Sequence, residues 1–266
     1  MDANEIFGYF GALLVGLVLG LIGGGGSILT VPIFVYLFSL NPITATAYSL
    51  FVVGSTSLVG TMRNIKKKNI VFKPAFIFAA PALIAVFLTR KFILPAIPEE
   101  LITIGTFQVT KSILIMLLFS IVMILASISM IRNTNPEEER DAKESLDNFS
   151  LLIQGLCIGI LTGMVGAGGG FLIVPALVLL AKLPMKNAVA TSLLIIAINS
   201  LIGFSGDVTN YEIDWKFLLP FTTISIVGIF IGIWLNKFIS GQKLKNSFGW
   251  FVLVMGIFII YKELAI

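Results

Sequence analysis

Histidine is absent from these 266 residues, and cysteine occurs once, as Cys157. The first absence removes the commonest metal ligand and neutral-pH proton shuttle. The second excludes intramolecular disulfides, cysteine-based clusters and thiol pairs. Charge is scarce as well: Asp, Glu, Lys and Arg make up 12% of the chain, against about 25% in an ordinary soluble domain. No Asp or Glu falls inside any of the apolar segments read below, so the buried carboxylate that carries protons in many pumps is expected to be missing. No paired carboxylates, metal constellation or nucleophile with a base stands out. The chain is therefore not expected to be an enzyme or to carry a cofactor or metal. Neither glycine run ends in Gly-Lys-Ser/Thr, which excludes a phosphate loop. The net charge of +4 comes from lysines in short loops between apolar segments, a pattern of membrane anchoring and not of nucleic-acid binding.

What the sequence has is apolar length. Hydrophobic residues make up 57% of it, in runs near the 17 to 25 residues a helix needs to cross hydrocarbon. The segments are 6–22, 27–40, 44–62, 74–90, 110–131, 149–165, 170–181, 188–204, 216–236 and 247–262. Stretches such as "LLFSIVMILASISMI" show no alternation of polar and apolar positions, so a transmembrane barrel is excluded and an all-α, polytopic helical bundle is expected. The amino terminus, "MDANEIFGYFG", is acidic where a secretory signal is basic, and the first segment is expected to stay in the mature protein.

The chain also repeats itself. Offset by 143 positions, "GLVLGLIGGGGSILTVPIFVYLFSL" aligns with "GILTGMVGAGGGFLIVPALVLLAKL", and Gly16–Gly60 matches Gly159–Gly203 at 18 of 45 positions. Further on the offset becomes 146, pairing Pro74 with Pro220 and Lys91-Phe92-Ile93 with Lys237-Phe238-Ile239. Two homologous transmembrane halves, 1–131 and 149–266, are expected, joined by a charged cytoplasmic linker at 132–148. If each glycine-interrupted segment dips into the membrane and returns, the halves are inverted. The basic residues then divide 13 inside to 5 outside, as the positive-inside rule favours. A single crossing by that segment gives 10 to 8.

The glycine runs, "GGGGS" at 23–27 and "GAGGGF" at 166–171, break the helix where contiguous glycine costs about 1 kcal/mol per residue relative to alanine. Broken backbone at membrane depth is tolerated where it is buried in protein or lines a watery cavity. The first amides of the helix that follows each run lack intrahelical partners and favour an anion. Gly24, Gly25, Gly26 and Ser27, with Gly168, Gly169 and Gly170, are the candidate half-sites, and the two runs are expected to meet near the midplane. Gly8, Gly16 and Gly20 have the look of helix-packing glycines. Hydroxyl and amide donors follow: Thr44, Thr46, Ser49, Ser55, Thr56 and Ser57 in the first half, then Thr191, Ser192, Asn199 and Ser200 in the second. Of these, Ser49, Thr191, Ser192 and Asn199 join the candidate site.

With "GGGGSILTVP" and "ATAYSL" in one half and "GAGGGFLIVP" and "AVATSL" in the other, the chain resembles the TauE/SafE sulfite exporter family over nearly its whole length. The resemblance implies a permease of the inner cell membrane that exports sulfite, sulfoacetate or a related sulfur oxyanion by alternating access. Its partners are then a small anionic substrate and the lipid bilayer, with the oligomeric state open. Tyr48 stands where the second half has Thr191, so half-sites built on that hydroxyl would be chemically unequal. A carrier of thiosulfate or a carboxylate, or a channel-like accessory subunit that docks a partner through the linker, remain alternatives.

Overall fold

A computed structural model describes residues 3–104, 107–132, 148–166, 169–181, 183–208 and 212–264. Most of the linker and Gly168 lie outside them. Each apolar segment of the sequence is a helix, and the chain is an all-α polytopic membrane protein. α1 is Ala3–Ile22 and α2 is Gly25–Pro32, followed by a π turn at Ile33–Leu37. α3 is Pro42–Lys66, α4 is Phe72–Leu88 with a π turn at Thr89–Ile93, and α5 is Leu94–Ala96. A short antiparallel hairpin, β1 (Glu100–Ile104) and β2 (Phe107–Thr110), leads into α6, Lys111–Arg132. α7 is Asn148–Val165, and α8 is Gly170–Pro175 with a π turn at Ala176–Leu180. α9 (Met185–Asp207), α10 (Trp215–Leu235) and α11 (Gly241–Leu264) complete the chain.

Among the described residues six helices are long and apolar enough to cross a membrane: Pro42–Lys66, Phe72–Ala96, Lys111–Arg132, Met185–Asp207, Trp215–Leu235 and Gln242–Glu263. α1, α7 and the two glycine-led helices are shorter in their apolar parts. Pro32 and Pro175 lie inside their helices. Each lacks the N–H that would reach back one turn, and in both places the next turn widens to a π turn. Large apolar side chains such as Phe76, Ile84, Leu125 and Val254 face outward, as a bilayer-solvated surface requires.

Small residues set the packing. Gly16 and Gly20 of α1 lie against the backbone of Ser225, Ile229 and Gly232 in α10, and Ser225 Oγ donates to Ala12 O at 2.9 Å. Positions rise together along both chains, so α1 and α10 run parallel. α7 treats α4 in the same way, with Gly155 against Phe78, Gly159 against Ala82 and Gly163 against Val86 and Thr89. Gly8 instead meets the ring of Phe38. α3 and α9 cross antiparallel, with Gly54 against Leu201, Gly60 against Leu193 and Gly203 against Leu50. α6 and α11 are antiparallel too, Gly249 meeting Ile131 and Gly256 meeting Ile124.

One expectation is overturned here. α9 does not stop at 204 but continues to Asp207, which is fully buried inside a candidate span. A carboxylate therefore does lie buried within a candidate span, beside a cation: Arg90, equally buried, sits at 3.1 Å.

Candidate functional site

The glycine runs turn the chain back on itself. Gly23 and Gly166, 143 positions apart, both take left-handed backbone, φ +80° and +70°, a region in which glycine alone is unstrained. α1 therefore folds back onto α2, whereas α7 packs on α4 and the break after it leads into α8, which packs on α6 and α9. The two runs meet: a Cβ on Gly24 would run into the carbonyl of Gly170, and one on Gly170 would meet the Cα of Gly24 at 2.6 Å. They also overshoot. Gly23 lies against Val189 and Ser192, near the start of α9, whereas Gly166 lies against Thr46 and the Arg90 guanidinium, near the start of α3. Because α3 and α9 are antiparallel, those are opposite ends of the molecule.

At the Gly23 end a cavity of 280 Å³ is lined by Gly20, Asn64, Lys67, Asn69, Lys186, Val189, Ile233, Asn236 and Lys237. Three lysines and no carboxylate surround it, so it carries a positive potential that concentrates anions. Burial first, and then the charges of Arg63 and Lys237, hold the Lys67 ammonium below the ordinary lysine pKa. Asn64 Nδ2 donates to Gly60 O at 3.0 Å, and Asn236 Nδ2 donates to Leu21 O.

The hydroxyls sort into two groups. Some are consumed locally: Ser27 Oγ donates to Gly24 O at 2.6 Å, bracing the first break, and Ser192 Oγ donates to Val189 O at 2.9 Å. Thr191 Oγ1 accepts from Val71 N at 3.0 Å, and Tyr48 Oη accepts from Asp214 N at 2.7 Å. Val71 and Asp214 are themselves 143 apart, so the unlike residues at 48 and 191 do the same work, holding the entry of α4 and of α10. The second group has no such partner. Ser49, Thr56, Ser57 and Ser200 have buried hydroxyl oxygens, and Asn199 a buried Oδ1, without a hydrogen bond among the described residues. Thr56 and Ser57 sit on α3 at the level where Gly54 meets Leu201, which brings them opposite Asn199 and Ser200 on α9. Unpaired buried polar groups cost about 1–3 kcal/mol each, and a ligand that bonds them recovers it. Of the candidate residues, Gly24 and Gly170 are buried where the runs touch, Gly26 is buried against Val15 and Leu19 of α1, Gly169 (φ +66°) caps α8 and lies against Thr162, Gly25 opens α2, and Gly168 lies outside the described residues.

At the Gly166 end lies the pair that the sequence reading missed. Arg90 Nη1 donates to Thr46 Oγ1 and to Asp207 Oδ2, both at 3.1 Å. At an effective dielectric of about 20 the attraction of two charges at that distance is about 5 kcal/mol, and the loss of hydration costs several per ion. Such a pair contributes little net stability but is expensive to break on one side. Asp207 Oδ1 has no hydrogen-bond partner among the described residues. The repeat carried the signal: the offset of 146 takes Arg90 to Asn236, and the offset of 143 takes Asn64 to Asp207. Two amides at one end are thus replaced by opposite charges at the other. Among the described residues no group of His, Cys, Asp and Glu could hold a metal.

Six spanning helices, folded-back glycine hairpins and a cationic cavity define a multi-pass membrane transporter. Residues 9–259 match the family described as sulfite exporter TauE/SafE, and the chain belongs to that family. It is 29% identical over 257 residues to a probable membrane transporter protein of Xylella fastidiosa, covering 95% of this chain and 93% of that one. A probable membrane transporter protein of Methanocaldococcus jannaschii is 28% identical over 270 residues, covering 93% and 94%. Another, from Bacillus subtilis, is 28% identical over 268 residues, covering 94% and 95%. No solved structure matches the chain significantly.

Proposed function

We propose that this transporter exports a small oxyanion, sulfite or a close relative, across the inner cell membrane by alternating access between two inverted repeats. The observation that carries the reading is the cavity ringed by Lys67, Lys186 and Lys237 and bordered by Gly20 of α1. The single-crossing arrangement would put Lys186 and Lys237 on the face opposite Lys67. The shared cavity and the antiparallel crossing of α3 with α9 support the inverted one. Three lysines then face the cytoplasm, where an exporter collects its substrate. The buried hydroxyls of Ser49, Thr56, Ser57 and Ser200, without a hydrogen bond among the described residues, supply donors deeper in. Fully dehydrating an ion costs tens of kcal/mol, so the anion keeps part of its water or meets several of these groups at once.

Purified protein in liposomes is expected to move sulfite, and a panel of sulfate, thiosulfate and acetate measures its selectivity. Transport of a carboxylate in place of sulfur oxyanions would overturn the substrate assignment. A lysine 6 Å from an anion contributes about 0.7 kcal/mol in water, less as salt screens it. Replacing Lys67, Lys186 and Lys237 together by Met should raise the half-saturating sulfite concentration roughly tenfold at low ionic strength, with a smaller effect at high salt.

The lowered pKa of Lys67 gives that affinity a direction with pH. A bound anion favours the protonated amine, so binding takes up a proton there. Affinity is present below the lowered pKa and falls as pH rises through it, earlier than for an ordinary lysine. In Lys67→Met this part of the pH dependence disappears, as a pH series of half-saturation values will read.

A further inference from the structure

The two ends of the molecule are built from corresponding residues and differ in state. At one, Gly23 lies against Val189, and Gly20, Asn64 and Asn236 border an open cavity. At the other, Gly166 lies against Thr46, the counterpart of Val189, and the counterparts of the two asparagines are locked together as Asp207 and Arg90. We propose that the Arg90–Asp207 pair is the closed gate of a second anion vestibule, in which Arg90 exchanges Asp207 for the oxyanion when that end opens. The proposal rests on the anion-transport reading and adds to it the residue that receives the substrate on the far side.

Three observations support it. The pair is fully buried, so the Arg90 guanidinium is out of reach of an anion in solution while the pair is closed. Arg90 Nη1 reaches Asp207 Oδ2, while Asp207 Oδ1 is without a hydrogen bond among the described residues, so the carboxylate is not gripped at both oxygens there. Arg90 is also in the right place, since the space a Cβ would take on Gly166 is bounded by its guanidinium. Planar guanidinium donors suit oxyanions as well as carboxylates. The neighbouring Lys91 does not compete for the role, because its ammonium lies over the rings of Phe87 and Phe92.

The test reads accessibility, which needs no transport. In a Cys157→Ser background, Gly206→Cys places a thiol beside the gate. A Cβ there meets Arg90 Cβ at 3.5 Å, an ordinary contact. Asn69→Cys places one in the open cavity. With the pair intact, a membrane-impermeant maleimide should label position 206 from the extracytoplasmic side at least about tenfold more slowly than it labels 69 from the cytoplasmic side, as for a state populated below about 10%. Asp207→Asn should raise the rate at 206 by about tenfold, and Thr46→Val, which keeps both charges, by less. Unchanged labelling at 206 in both variants, with the protein still monodisperse in detergent, overturns the gate. Sulfite flux is measured separately on vesicles holding the unsubstituted chain. If the gate responds but sulfite is not moved, the gate stands and the substrate reading falls; if sulfite moves while 206 stays insensitive, the reverse holds.

Discussion

Gly24→Val will abolish transport, and purified protein will unfold at a markedly lower temperature than the parent. The physical reason is contact between backbones: at Gly24 the first atom of any side chain runs into the carbonyl of Gly170. Flexible side chains could move aside, but both partners here are main chain within the meeting glycine runs. Overpacking a closed core costs about 1–3 kcal/mol when side chains can adjust, so a clash with fixed backbone is expected at or above that range. Even Gly24→Ala should lose most of its flux. Gly206→Ala is the control, since among the described residues a Cβ there meets Arg90 Cβ first, at an ordinary 3.5 Å. If Gly24→Val retained parental flux and stability, the close approach of the two runs would be wrong.

The second large effect concerns the buried ion pair, and its signature is non-additivity. Arg90→Leu leaves the Asp207 carboxylate buried without its cation, and Asp207→Leu leaves the guanidinium without its carboxylate. Each should cost about 3–5 kcal/mol. The double variant Arg90→Leu/Asp207→Leu removes both desolvated charges and should be more stable than either single one, with a coupling energy on the order of 3 kcal/mol. Denaturation in mixed micelles reads all four corners of the cycle. Simple addition of the two losses would mean that the charges do not interact in the folded protein. Transport should stay low in the double variant despite its recovered stability, because the gate then lacks its anion receptor.

Much of this architecture was legible from residue order. Apolar run length marked every long helix, since hydrocarbon thickness fixes how long a spanning segment must be, whereas the three-residue α5 fell between two runs. The glycine runs marked the reversals, because contiguous glycine inside an apolar helix has no other good use. Gly16 and Gly20 have the four-residue spacing of packing glycines, and they lie on α10. Other features were hidden for identifiable reasons. The β1–β2 hairpin is nine residues of ordinary β-formers between two helices, too short to carry a periodic signal. Asp207 lies three residues beyond the apolar segment 188–204, so run length alone leaves it outside the span. Only its three-dimensional neighbour Arg90, 117 residues earlier, makes burial tolerable. The difference at positions 48 and 191 was misleading in the opposite sense. Tyr and Thr present a hydroxyl at different reach, and each accepts from a backbone N–H of the other half. Of the candidate polar residues, Ser49 and Asn199 have buried oxygens without hydrogen bonds among the described residues, whereas the hydroxyls of Ser27, Thr191 and Ser192 bond the backbone.

The exchanged packing of α1 on α10 and of α7 on α4 bears on biogenesis. α1 leaves the ribosome about two hundred residues before the helix that covers its glycine face. At ordinary translation speeds that is a delay of about 10 to 40 s. Through that interval the first hairpin has only lipid, its own half or the insertion machinery for company. Neither half encodes a complete set of neighbours, so the nascent chain reaches its final shape only once the last third of the message has been read.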